Sequence, residues 1–148
     1  MSEKHSAKHS PDSLYEHAVG LTFPGTLMER MGMEVLEHRV ERTVVRMPVA
    51  GNTQRVGILH GGATAALAET AGSLAASTTV TDDHTIVVGV ELSISHLRTA
   101  REGMVTATAV PEHLGRTSTV HLVRIEDEKG RLISTARISN RLIPRRAE

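Results

Sequence analysis

Between Gly61 and Thr81 the chain carries a single charge, Glu69, in a background made mostly of Ala, Gly, Ser and Thr. The stretch is long enough to invite a transmembrane reading. Its few large apolar side chains and its central carboxylate argue instead for a helix buried inside a soluble protein. Ala has the highest helix propensity, and Leu67, Ala71 and Leu74 fall on one face at i, i+4 and i+7. The pattern predicts one long helix over about 62–79. Side chains this small let a helix lie very close to its neighbours, and the lack of charge on any face predicts cover on most sides.

Strands account for the rest. Residues 33–39 and 42–48 read as two strands, with Thr43, Val45 and Met47 alternating against Arg42, Val44 and Arg46. Four more are expected after the helix, over 85–97, 104–111, 117–126 and 132–143, the last two joined by the Asp127–Gly130 turn. Phe23-Pro24-Gly25 reads as a turn leading into a short helical turn over 26–31, and residues 13–21 as a short helix. The order β-β-α-β-β-β-β describes an α+β fold with a largely antiparallel sheet. The chain has 148 residues, which fits one domain. Residues 1–12 are polar and are expected to be a disordered tail, leaving 13–148 as that domain.

Composition removes several functions. With no Cys there is no disulfide, thiolate metal site or Cys nucleophile. Seventeen Lys and Arg balance seventeen Asp and Glu, so no electrostatic footprint marks a nucleic acid or anionic membrane partner. Tyr15 and Phe23 are the only aromatic residues, too few for a base-stacking platform. The N-terminus has no apolar signal segment, and with no Cys the expected location is the cytoplasm.

The chemistry concentrates in Gln54-x5-His60-Gly61-Gly62 and the helix that follows. A helix N-terminus presents unpaired N–H groups and the positive end of the macrodipole. Gly61 and Gly62 carry no side chain, so a ligand oxygen can approach their amides closely. That arrangement suits polarisation of a carbonyl, although a Gly-rich loop entering a helix is also common. Glu69 is the sharper signal. No Lys, Arg or His stands three or four residues from it, while Ser73 shares its face at i+4. A lone Glu among alanines faces a cavity, another chain or water. Partial burial would disfavour its charge and make it a stronger base.

His60 and Glu69 are nine residues apart. On a helix this is about 13.5 Å of rise and half a turn. They cannot pair within one chain or share one metal, and no metal or other cofactor is expected. If both serve one site, two chains must supply them, which predicts a homodimer with its sites at the interface. His96, at a strand end, is a weaker candidate for substrate contact. Arg98, Arg101, Arg116, Arg145 and Arg146 are candidate phosphate ligands, although an arginine taken alone is more often a solvated surface charge. The other histidines receive no role.

The stretch Gln54-x5-His60-Gly61-Gly62-x6-Glu69-x3-Ser73 resembles the hotdog-fold acyl-CoA thioesterases, in the Glu-dependent branch acting on 4-hydroxybenzoyl-CoA, 1,4-dihydroxy-2-naphthoyl-CoA and enterobactin precursors. The segment His96-Leu97-Arg98-Thr99-Ala100-Arg101-Glu102-Gly103 resembles the family's H-x-R-P-x-x-x-G, with Thr99 in place of the usual Pro. The resemblance covers about residues 25–146. It implies a long helix wrapped by a six-stranded, mainly antiparallel sheet, and hydrolysis of an acyl-CoA to a carboxylic acid and CoA. It implies Glu69 as nucleophile or general base, the Gly61 N–H as the polarising donor and His60 as an orienting residue. Gln54 would hold the carbonyl or the water, and Ser73 would orient water or the carboxylate. His96, Arg98, Arg116, Thr117 and Arg146 would contact substrate, the arginines and Thr117 at the CoA nucleotide. It further implies a homodimer with shared sites, assembled as a dimer of dimers. The competing reading is a non-catalytic acyl-CoA-binding hotdog protein, which would need none of Gln54, His60 and Glu69.

Overall fold

The structure, a computed structural model, describes residues 18–20 and 23–146. The expected tail and residues 13–17 of the expected first helix lie outside the described residues, and Val19–Gly20 form a turn rather than helix. The turn before the second helical segment is present, closed by Thr26 N–H donating to Phe23 O (3.2 Å). The short helix α1 (Leu27–Arg30) follows, with Thr26 as its N-cap. Then come β1 (Glu34–His38), β2 (Thr43–Pro48), the long helix α2 (Gly61–Ser77), β3 (Thr85–His96), β4 (Met104–Leu114), β5 (Ser118–Asp127) and β6 (Leu132–Pro144).

All six strands form one sheet in the order β1-β2-β4-β5-β6-β3, antiparallel at every pairing. This is the hotdog architecture: α2 packs across β2, β3, β4, β5 and β6. Each strand ends within a few residues of its expected limit. The largest difference is β4, which continues through Pro111 by means of a bulge between Pro111 and His113. Pro111 stays opposite His121 and Glu112 is the residue left out. The pairing of β4 with β2 ends at Ala109, so among the described strands Pro111 has a neighbour on one side only, where a proline is tolerated.

The core lies between α2 and the sheet. Leu67, Ala68, Ala71 and Ala75 of the helix meet Val45, Met47, Val105, Ala107, Ala109, Val123, Ile125, Ala136 and Ile138, and all are buried. The buried helix face is thus Leu67–Ala71–Ala75, while Leu74, expected to share it, is only half-buried. Gly72 marks the closest approach, since a Cβ there would overlap the Ile138 Cγ2 methyl. The Ile138 side chain thus lies directly against the helix backbone at Gly72, which leaves no room for a side chain there. Glu69, Thr70, Ser73 and Leu74 form a half-buried strip beside that face. Among the described residues, no helix is long and apolar enough to cross a membrane.

Candidate active site

The loop before α2 is held by its own backbone. Asn52 Nδ2 donates to Met31 O (2.9 Å) and Pro48 O (2.8 Å), and Asn52 O accepts from His60 N–H (2.9 Å). Gln54 N–H donates to Ile58 O (2.8 Å), and Gly57 turns the chain with φ 78°, a conformation that favours glycine. The Gln54 side chain folds over this turn, its Oε1 accepting from Val56 N–H (2.9 Å). With the oxygen occupied, the amide presents Nε2, a donor.

At the start of α2, His60 is the N-cap. Its Nδ1 accepts from Gly62 N–H (2.8 Å), satisfying one orphan amide of the first turn. The Gly61 N–H keeps no acceptor among the described residues. Behind it stands His96, whose Nδ1 lies 3.1 Å from Ser134 Oγ and 3.4 Å from Thr64 Oγ1. A Cβ on Gly61 would come to 3.0 Å from His96 Nε2, so a side chain there would crowd the ring against the helix end. Gln54, Gly61, His96 and Arg98 all line one cleft of about 390 Å³, whose apolar walls include Ile58, Leu59, Leu97 and Ile133.

The carboxylate lies elsewhere. Glu69 is half-buried and makes no hydrogen bond or ion pair within the described residues. It rests against the backbone of Gly89 in β3, where any Cβ would collide with Oε1. Loss of hydration lifts its pKa above the ordinary 4.5, because burial disfavours the charged form. One turn further, Ser73 Oγ donates to Asn140 Oδ1 (3.2 Å), and Asn140 Nδ2 donates to Gly72 O (3.4 Å).

Two groups of candidate residues therefore stand apart in one chain. Gln54, His60, Gly61, His96 and Arg98 gather where β3 ends and α2 begins. Glu69 and Ser73 lie further along α2, toward the end of the sheet where β3 starts. Arg116, Thr117 and Arg146 belong to that opposite end. Thr117 O accepts from Leu142 N–H (3.0 Å), and Arg145 N–H donates to His84 O (2.6 Å). β3 itself spans roughly 35 Å as an extended strand, so Arg98 and these three residues cannot grip one small group within a single chain. Asn140, Gly89, Thr64 and Ser134 were not singled out from sequence. Two of them left signals: an Asn on the inward register of β6 beside Ala136 and Ile138, and a Gly inside a Val-rich strand.

The thioesterase superfamily's sequence profile matches residues 56–134. The chain is 45% identical over 123 residues to the proofreading thioesterase EntH of Cronobacter turicensis, covering 82% of this chain and 89% of that protein. It is 40% identical over 116 residues to the 1,4-dihydroxy-2-naphthoyl-CoA hydrolase of Escherichia coli, covering 78% and 79%. The crystal structure of thioesterase HI1161 from Haemophilus influenzae superposes with a TM-score of 0.77 at 35% identity, covering 82% of this chain and 85% of that one.

Proposed function

The chain belongs to the thioesterase superfamily, and from that premise we propose that it hydrolyses acyl-CoA thioesters at a site shared between two protomers, with Glu69 as the reacting carboxylate. The observation that carries this reading is the isolation of Glu69. It is half-buried, unpaired among the described residues and lifted in pKa, and it sits away from the cleft that offers unengaged donors. Such a carboxylate is a base or nucleophile awaiting a partner surface.

The fold offers a way to supply that surface. Among the described strands, β3, of 12 residues, stands at the end of the sheet beside β6, whereas the strand at the other end, β1, has five residues and a bulge. A long strand at the end of a sheet is a template for pairing. Antiparallel pairing of β3 with a second β3 reverses its direction. The Gly89 half of one strand then faces the His96 half of the other, bringing Glu69 and Ser73 of one protomer toward Gln54, Gly61 and His96 of the next. The same reversal carries Arg116, Thr117 and Arg146 of one protomer toward Arg98 of the other, a clustered set of cations for the CoA phosphates. Two such dimers would associate into a tetramer.

In the shared site, Gly61 N–H and Gln54 Nε2 donate to the thioester oxygen and stabilise the charge that develops on it. The carboxylate of Glu69 either attacks the carbonyl carbon or takes the proton of an attacking water. The C–S bond breaks, the CoA sulfur leaves with a proton, and one water has been consumed for each acid and thiol released. Either route requires ionised Glu69, so the rate falls as pH drops through its raised pKa.

The chain has no thiol of its own, so a thiol reagent reads CoA release directly. Over a panel of acetyl-, hexanoyl-, palmitoyl- and benzoyl-CoA, Glu69→Ala is expected to abolish release with unchanged thermal unfolding. Wild-type rates in that variant would overturn the mechanism. Mixing Glu69→Ala with Gln54→Ala protomers restores about a quarter of wild-type activity if sites are shared, because half the dimers are mixed and each holds one intact site of two. No recovery on mixing, with subunit exchange verified, would place both residues in one protomer.

A further inference from the structure

Hydroxyls on a helix usually turn back onto the carbonyl one turn earlier. In α2 and its cap they do so repeatedly: Thr64 donates to Gly61 O (2.9 Å), Ser77 to Leu74 O (2.6 Å), Thr78 to Ala75 O (2.6 Å) and Thr79 to Ala76 O (2.8 Å). Ser73 departs from this pattern and donates across to Asn140 on β6.

Asn140 is 0% exposed, in a core where an unmatched amide is expensive. Its orientation follows from the partner that has no alternative. Gly72 O can only accept, so it fixes Nδ2 toward the helix. Oδ1 must then face Ser73, and an oxygen of this kind can only accept. Ser73 therefore directs its single proton into the core and turns its lone pairs outward. Asn140 is also the cross-strand partner of Gly89, the residue against which Glu69 rests. Its Oδ1 and the Glu69 carboxylate both approach the Cβ direction of Gly89. Two anchors on neighbouring strands thus hold two acceptors of α2, Glu69 and Ser73, on one face one turn apart.

We infer that Asn140 is a positioning residue for the hydrolytic step: by holding the Ser73 proton it makes Ser73 an acceptor, so that the attacking water gives one hydrogen to Ser73 Oγ and the other to Glu69. The inference rests on the hydrolase reading above and deepens it. It selects water as the nucleophile with Glu69 as general base. The water oxygen bonds to the acyl carbon, its proton passes to Glu69, and collapse of the adduct expels the CoA sulfur, which takes that proton. Without Asn140, Ser73 would turn back to the Thr70 carbonyl, three residues earlier, as its neighbours do, and its lone pairs would leave the water.

The test is a double-mutant cycle on the acyl-CoA of the panel that the wild-type protein turns over fastest. Asn140→Ala and Ser73→Ala are each expected to lower kcat roughly tenfold with KM within twofold. The double variant is expected to match the lower single, because Asn140 acts through Ser73. Asn140→Asp, which keeps the side-chain shape, adds a negative charge beside Glu69 and is expected to move the acid limb of the kcat profile upward by about one pH unit. Losses that multiply in the double variant, a change confined to KM, or an unshifted acid limb in Asn140→Asp would each overturn the inference. Should Asn140→Ala fail to fold, the limb of Asn140→Asp alone decides it. These outcomes are read against Glu69→Ala: an active Glu69→Ala refutes the hydrolase mechanism itself, whereas an inactive one with multiplicative Asn140 losses refutes only this step.

Discussion

Replacing His121 with Leu should stabilise the protein, and more so in acid. His121 lies on β5 between Pro111 and Ile138, is 0% exposed, and neither ring nitrogen has a hydrogen-bond partner among the described residues. An unmatched buried donor or acceptor costs about 1–3 kcal/mol. Leu is of similar size and has no polar atom to satisfy, so His121→Leu should gain about 1–3 kcal/mol at pH 7.5. In a chain of this length each kcal/mol raises Tm by about 2–4 °C. Desolvation also lowers the His121 pKa below its ordinary 6.5. Above pH 6.5 both the folded and unfolded chains carry the ring neutral. Below it the unfolded chain binds a proton that the folded chain refuses, so stability falls by up to about 1.4 kcal/mol per pH unit until the folded ring also protonates. The variant lacks this contribution. Melting of both proteins at equal protomer concentration, from pH 7.5 to 5.5, should show a gap that opens at neutral pH and widens with acid. A variant that melts at or below the wild type, or a gap independent of pH, would refute the claim that His121 is buried unpaired.

Two glycine-to-alanine changes should separate activity from stability. At Gly89 the added Cβ meets the end of the flexible Glu69 side chain, which can swing aside, so Gly89→Ala should lower kcat on the order of a hundredfold with little change in denaturant midpoint. At Gly72 it meets the branched side chain of Ile138 in the core, so Gly72→Ala should cost about 1–3 kcal/mol by overpacking, against the roughly 1 kcal/mol that Ala normally gains over Gly inside a helix, and urea titration reads the sign.

Much of the fold could be read from the chain because each element carries its own period. The single-charge stretch from Gly61 to Thr81 could hardly be anything but a buried helix, and the alternation in β2 and β4 placed the strands near their observed ends. Errors arose where tertiary contact overrode local pattern. Leu74 has helical spacing with Leu67 and Ala71, yet the sheet reaches the Ala75 side instead. Pro111 reads as a strand end, but there β4 has run past the end of β2, and a bulge that leaves out Glu112 carries the β4–β5 ladder on to Leu114. Both depend on which residues lie opposite, and one strand alone does not specify that.

The site shows the same division, with a physical reason behind it. Glu69 and Ser73 could be placed on one face because helix spacing is a local property, and the nine-residue gap to His60 means that these residues can serve one site only across two chains. The carboxylate's surroundings were not legible, because they are built from β3 and β6, residues 89 and 140, far away in sequence and adjacent only through the Gly89–Asn140 pairing. An Asn among inward-facing Ala and Ile, and a Gly within a Val-rich strand, are each unfavourable choices for a strand interior. Two such choices at paired positions, both against the same turn of α2, are hard to explain by packing alone. Valines at 89 and 140 would suit a strand interior better, but one would displace Glu69 and the other would release Ser73. The local penalty in β3 and β6 is therefore better understood as the condition for keeping an unpaired carboxylate and an outward-facing hydroxyl oxygen side by side on a helix that otherwise consists almost wholly of small, uncharged residues.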